Sequence, residues 1–290
     1  MTEFHHDKTP NKRPLRTYAV IAATSLALLA SSEKAEAAPH IQPATPLSKN
    51  SIEATHAIPK TELDLTEQLS LLARKKVINC LVERCVALTF DDGPGAHTEE
   101  LLDILKDRDV DATFFVLGSL AEGHPDTIKR MHDEGHQVGG HSWNHQYLPG
   151  LSPQAAADDA NRTHEVITRF TGEKPTVMRP PYGAINPGIT AAINLPQMLW
   201  SIDPQDWKNQ STPYISSHVI NNAHPGAVAL MHDIYETTVD AVPDIIDGLR
   251  NRGYTLVTIE TLFGGNPPTG IYREQSDGPP RTPDTLPLTE

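Results

Sequence analysis

Apolar and polar positions along this chain change period repeatedly, and the changes mark out its elements. Val86 to Phe90 (VALTF) is a continuous apolar run of the kind carried by a strand buried on both faces. It stops at Asp91-Asp92-Gly93-Pro94, two carboxylates followed at once by a turn-forming Gly-Pro. Thr98 to Arg108 has helical period, with Leu101, Leu102 and Leu105 on one face and Thr98 as its cap. Ala112 to Val116 reads as a second strand, Pro125 to Glu134 as a helix, and Gln137 to Gly139 as a short strand leading to His141. Ser152 to Thr171, opened by Ser-Pro and stopped by Gly172, reads as a long helix. Further strands are predicted at Thr176 to Met178, Gln197 to Ile202, Ala227 to Met231 and Tyr254 to Thr258. The helices between and after them are Ile189 to Asn194, Pro213 to Asn222, Val239 to Arg252, and a last turn at Ile259 to Phe263.

Seven strand–helix units without long hairpin signals predict a parallel α/β architecture. Alternation alone leaves an incomplete barrel and an open doubly wound sheet both standing. The chemically suggestive residues Asp91, Asp92, His141, Arg179, Asp203, Asp206 and His232 all fall just past the C-terminal end of a predicted strand. That is the edge on which parallel sheets build their sites.

At 290 residues the chain holds one barrel-sized domain with tails, or two small domains. A formal net charge of −13 argues against nucleic acid or an anionic membrane surface as a partner. Fourteen histidines against two cysteines favour imidazole and carboxylate chemistry over thiolate chemistry. Residues 1–37 read as a signal peptide: basic Lys8, Lys12, Arg13 and Arg16, an apolar Tyr18 to Ala30 too short for a bilayer, and Ala35-Glu36-Ala37 as a small-x-small cleavage signature. The expectation is a secreted protein, associated with the cell wall, with no stable membrane span after cleavage. Export makes Cys80 and Cys85 a candidate local disulfide. Residues 38–75 read as a Pro/Ser/Thr-rich linker, 76–264 as the folded domain, and 265–290 as a Pro-rich disordered tail.

Neighbouring residues on an extended chain point to opposite sides, so Asp91 and Asp92 are expected to face different tasks, one a metal and one a water. His141 and His145 stand four residues apart, a spacing that lets both meet one ion on a helical turn or tight loop. With Asp92 they make two imidazoles and one carboxylate, which leaves positions open for water and substrate. Arg179-Pro180-Pro181-Tyr182-Gly183 is a rigid turn whose guanidinium suits holding a carboxylate by paired hydrogen bonds. Asp203-Pro204-Gln205-Asp206-Trp207 sets two carboxylates beside a ring able to floor a sugar pocket. Leu230-Met231-His232 ends an apolar strand in an imidazole.

Five motifs in this order, TFDDGP (Thr89 to Pro94), HSWNH (His141 to His145), RPPYG (Arg179 to Gly183), DPQDW (Asp203 to Trp207) and LMH (Leu230 to His232), resemble the polysaccharide deacetylases. That family is also called carbohydrate esterase family four, or the NodB-homology domain. The resemblance covers Val86 to Phe263, and no key position departs from the pattern. It implies a distorted, incomplete (β/α) barrel with about seven parallel strands. It implies that Asp92, His141 and His145 bind a divalent metal, usually zinc, with cobalt, manganese or nickel as alternatives. Asp91 would be the general base, positioned by Arg179, and His232 the general acid. His232 would be supported by a neighbouring carboxylate, taken as Asp206, with Asp203 left open. A backbone N–H near Tyr182 would stabilise the oxyanion, and Tyr182, Trp207 and Leu230 would line the substrate pocket.

These implications make the chain a metal-dependent N-deacetylase of N-acetylglucosamine units, with peptidoglycan the first expected substrate and chitin-type oligomers the second. An O-acetyl xylan esterase using the same site and a non-catalytic glycan-binding module are the competing readings. A non-haem iron oxygenase also uses two histidines and a carboxylate, but the order Asp, then His-x-x-x-His, does not suit it.

Overall fold

A computed structural model describes residues 78–280, and every structural statement below concerns those residues. The expectations for the signal peptide and linker, and for residues 281–290, lie outside them. The element order alternates as predicted. The strands are β1 (Cys85–Asp91), β2 (Thr113–Val116), β3 (Gln137–Gly140), β4 (Gln197–Met198), β5 (Ala227–His232), β6 (Thr255–Val257) and β7 (Ile271–Tyr272).

All pairings between these strands are parallel. The sheet runs β3-β2-β1-β5, and β6 shares one side of β1 with β2. Cys85–Ala87 pairs with Thr255–Val257, while Thr89–Asp91 further along pairs with Thr113–Phe115. Single bridges close the remainder: Gly140 to Met178, Met178 to Gln197, and Ile202 to Ala229 of β5. The result is a distorted (β/α) barrel whose far wall is joined one residue at a time. Predicted strand Thr176 to Met178 shrinks to its Met178 bridge, and Gln197 to Ile202 to two residues and a bridge.

Every residue of β1 is buried, as a strand covered on both faces requires. Its period of two separates two cores. Val86, Leu88 and Phe90 pack outward with Leu101, Leu102, Leu105, Ile245 and Leu249 of the surrounding helices. Cys85 and Ala87 point the other way, toward Phe115, Val177, Met198, Val228 and Val257. Each such buried Leu or Phe contributes roughly 2 kcal/mol. Thr89 and Asp91 continue the inner row, so the strand that fills the barrel also delivers a carboxylate to its rim.

The Pro153–Thr171 helix starts where predicted, with Ser152 Oγ accepting the Ala155 N–H at 3.2 Å and Gly172 closing it at φ 78°. Predicted helix Val239 to Arg252 is instead two, Glu236–Val239 and Val242–Asn251. Pro243, which has no N–H to donate, falls in the first turn of the second. Cys80 and Cys85 are disulfide-bonded.

The tail expectation needs correction. Part of residues 265–280, around Pro267 and from Ile271 to Gln275, packs against the barrel. Ile271–Tyr272 forms β7 beside β4, Tyr272 is buried against Phe263, and Gln275 Nε2 donates to Leu262 O at 2.7 Å. Two apolar residues among prolines and glycines are too short a run to register as a strand. No described helix is long and apolar enough to cross a membrane.

Candidate active site

A cavity of about 430 Å³ opens at the C-terminal rim of the strands, lined by Asp91, Asp92, His141, His145, Pro180, Tyr182, Trp200, Asp203, Trp207, Leu230, His232 and Tyr235. Nine of these were singled out from sequence; Pro180 sat unremarked inside the RPPYG turn, and Trp200 and Tyr235 were missed, having no motif to flag them. A larger cavity of about 550 Å³ lies at the opposite strand ends, near Gln137 and Leu256, and contains none of these groups.

Asp91 is the last residue of β1 and is buried. Asp92 has left the strand, with φ at 73°. The two side chains therefore do not diverge as an extended chain would send them. Both reach His141, whose Nε2 lies 3.7 Å from Asp91 Oδ2 and 3.4 Å from Asp92 Oδ1. His145 Nε2 is also 3.4 Å from Asp92 Oδ1. The pair sits on a tight turn with Ser142 and His145 at positive φ. Asp159 of the long helix holds that turn, accepting from Trp143 N at 2.9 Å and Gln146 Nε2 at 3.0 Å.

Asp92, His141 and His145 each offer one ligand atom, all within 4.8 Å of one another. Asp92 Oδ1 is buried and accepts no hydrogen bond, an unusual state for a carboxylate oxygen unless a cation belongs there. His141 Nδ1–H donates to Arg179 O at 2.7 Å, which leaves Nε2 with its lone pair toward Asp92. Burial, only partly offset by Asp92, holds the His145 imidazole below its usual pKa and hence in the neutral form that can ligate. Burial raises Asp92, but His141, His145 and His232 outweigh it and keep the carboxyl below its ordinary value. Two imidazole nitrogens and a carboxylate on one side of an open cavity fit a divalent ion, zinc included.

Arg179 is completely buried beneath Asp91. Its Nη1 donates to Asp91 Oδ1 at 2.8 Å and to Thr89 Oγ1 at 2.7 Å. Nε donates to Met198 O at 2.8 Å and Nη2 to Leu199 O at 2.9 Å. Its guanidinium carbon sits 4.3 Å from the centre of the Phe115 ring. Asp91 Oδ1 is thus fixed, and Oδ2 faces the imidazoles.

Across the cavity His232 ends β5. Its Nδ1–H donates to Asp206 Oδ1 at 2.7 Å, and Nε2 lies 3.9 Å from Asp92 Oδ2. Asp206, with no exposed surface, also accepts from Trp207 N, His232 N and Thr238 Oγ1 at 2.8 to 2.9 Å. Asp206 and not Asp203 is therefore the residue bonded to His232; Asp203 Oδ1 accepts from Gln205 N at 2.7 Å. Burial alone would lower the His232 pKa, but the hydrogen bond and charge of Asp206, with Asp91 and Asp92 beyond, push it up to about 9.

Trp207 and Tyr182 are the exposed apolar walls, at 53 % and 65 % of their surface, and Leu230 is a buried one. Tyr182 sits edge-on to His145, ring centres 4.4 Å apart. In its turn the Gly183 and Ala184 N–H groups are committed to Pro180 O and Pro181 O, which leaves the Tyr182 amide as the candidate donor.

Known proteins resemble this chain in sequence and fold. The polysaccharide deacetylase family model matches residues 79–197. The chain is 44% identical over 181 residues to the peptidoglycan-N-acetylmuramic acid deacetylase PdaC of Bacillus subtilis, covering 62% of this chain and 39% of that protein. It therefore spans about two fifths of that relative's length. A peptidoglycan-N-acetylglucosamine deacetylase of Bacillus cereus is 38% identical over 186 residues, 61% of this chain and 68% of that one. Among solved structures, a family 4 acetyl xylan esterase from Clostridium thermocellum in complex with a cobalt ion superposes with a TM-score of 0.63 at 32% identity, covering 66% of this chain and 98% of the other. Motifs, fold and relatives agree, and the chain belongs to the polysaccharide deacetylase family.

Proposed function

We propose that this chain is an exported, metal-dependent N-deacetylase that hydrolyses the acetamido group of N-acetylglucosamine units, in peptidoglycan first and chitin-type oligomers second. The observation that carries this reading is the placement of Asp91 and His232 on either side of one Asp92–His141–His145 triad in a single cavity.

The reaction consumes one water: a C–O bond forms at the acetyl carbon, the C–N bond breaks, and acetate leaves the amino sugar. Asp92, His141 and His145 would hold a divalent ion, which when bound would supply carbonyl polarisation and a lowered water pKa. Asp91 Oδ2 is the base that takes the water's proton, with Arg179 locking its other oxygen. His232 Nε2 hands its proton to the departing nitrogen, and Asp206 supports the imidazolium that gives it up. The Tyr182 N–H faces the developing oxyanion. Trp207 and Leu230 hold the sugar and the acetyl methyl.

The cavity lining contains no lysine or arginine. The lactyl carboxylate of a muramic acid hangs from the carbon next to the one bearing the acetamide, so it would enter this cavity with only the catalytic ion and the His232 imidazolium to meet it, both already engaged in the reaction. That favours N-acetylglucosamine.

The test is acetate release by the zinc-loaded chain from N-acetylated peptidoglycan glycan and from chitin oligomers in parallel. Release that stops on chelation and returns with metal supports the reading. Release from acetylated xylan alone would replace it with an esterase. No release from any substrate with metal bound would point to a binding module.

A further inference from the structure

Behind the Asp91–Asp92 turn lies a carboxyl group that the chemistry above leaves unused. Asp233, one residue beyond His232, is completely buried. Its Oδ2 accepts from Thr98 Oγ1 at 2.6 Å, and Thr98 Oγ1 in turn accepts the Gly95 N–H at 2.8 Å. Its Oδ1 makes no hydrogen bond. The carboxyl lies against Gly93 so closely that a Cβ there would fall 2.3 to 2.7 Å from its three atoms. The Leu117 N–H also donates to Gly93 O at 3.0 Å. Gly93 is held both by the Asp233 carboxyl and by the Leu117 N–H, and the residue it follows is Asp92, whose left-handed backbone is one that side chains avoid for steric reasons. An isolated turn would not hold Asp92 there; the surroundings must.

We infer that Asp233 is a positioning residue for the triad: together with Thr98 it clamps the Gly93–Gly95 turn and so fixes where Asp92 Oδ1 stands between the two imidazoles. This rests on reading Asp92, His141 and His145 as the metal site. The end of β5 then serves the site twice, with His232 on the cavity side and Asp233 behind the ligand loop. The clamp works by shape and by the Thr98 hydroxyl, so it predicts which replacements are tolerated. Asp233→Asn keeps the size and an acceptor for Thr98, and Thr98→Ser keeps the hydroxyl. Asp233→Ala and the near-isosteric Thr98→Val remove the link.

The four variants are made in the full chain. Zinc affinity is measured by competition with a chromophoric chelator, the visible absorption of the cobalt-substituted protein is recorded, and the metal-free proteins are melted. Asp233→Ala and Thr98→Val are expected to weaken zinc binding about tenfold or more, in the range typical of groups that orient a metal ligand, and to alter the cobalt spectrum. Asp233→Asn and Thr98→Ser should stay near wild type. If Thr98→Val and Asp233→Ala bind zinc within a factor of two of wild type with an unchanged cobalt spectrum, Asp233 merely packs the turn and the inference falls, whatever happens to the melting point. A wild-type chain that binds no zinc would overturn the metal reading itself, a distinguishable result.

Discussion

Asp91 and His232 are register partners on adjacent parallel strands, the last residues of β1 and β5. Neighbouring strands lie about 4.8 Å apart, so the separation of proposed base and proposed acid is fixed by backbone hydrogen bonds. Side-chain rotation adjusts it only within the limits set by Arg179 on one side and Asp206 on the other.

Asp91→Asn removes the base while keeping an acceptor for Arg179 and leaving Asp92, His141 and His145 in place. Deacetylation by the zinc-loaded variant should fall about 100-fold or more, with the metal content of the protein unchanged. Acetate release and metal analysis check both halves. Near wild-type activity with metal bound would remove Asp91 from the role.

Asp206→Asn tests the acid. His232 donates only when protonated, so kcat/KM declines as pH rises through the His232 pKa. Asp206 is what lifts that pKa against burial. Its neutral replacement should move the alkaline limb of the kcat/KM profile to lower pH, besides lowering the plateau. A limb that stays where it was would mean it reports another group.

His164 offers a stability test away from the chemistry. It is buried behind Gly140, where a Cβ would come within 2.7 Å of its Nε2, and burial, with Lys174 nearby, pushes its pKa down to about 4. An unfolded chain would bind this proton near pH 6.5. The unfolded state therefore holds more protons between pH 6.5 and 4, and stability is lost as pH falls through that window. The loss due to His164 is about 3 kcal/mol at the acid end. Urea midpoints at pH 7, 5 and 4 for wild type and His164→Gln should show a shallower decline in the variant. Parallel declines would refute the assignment.

Tyr272 anchors the packed segment after Phe263, with its hydroxyl donating to Pro268 O at 2.8 Å. Tyr272→Ala should destabilise the domain by about 3 kcal/mol, read from denaturant unfolding. Ending the chain at Gly264 should do at least as much. A tail without structural consequence would leave both curves on the wild type.

The sequence made the rim legible because strand-end carboxylates and imidazoles sit beside long apolar runs, and period two on β1 separates inside from outside. Asp159, Asp233, Thr98 and Tyr235 were not legible. They lie in helices and loops whose local pattern is ordinary; Asp159, Asp233 and Thr98 matter through contacts across 13 to 135 positions of chain, and Tyr235 through its place in the cavity wall beside His232. Asp206 was favoured over Asp203 on motif position alone; burial and four hydrogen bonds now distinguish them. The divergence expected of Asp91 and Asp92 failed because it assumed an extended backbone that ends one residue earlier.

Arg179 joins β1 to the segment after β4 through side-chain bonds, and its own carbonyl orients His141. Removing one partner of a buried charge pair costs about 3–5 kcal/mol, so no substitution there touches catalysis alone. The rim differs: His232 can be lost, and Asp91 exchanged for a neutral residue that keeps an acceptor for Arg179, with most of the barrel intact. A descendant of this chain that abandoned hydrolysis and kept its hold on glycan would therefore be expected to change at those two positions first. It would carry Arg179 unchanged, as a fossil of chemistry it no longer performs.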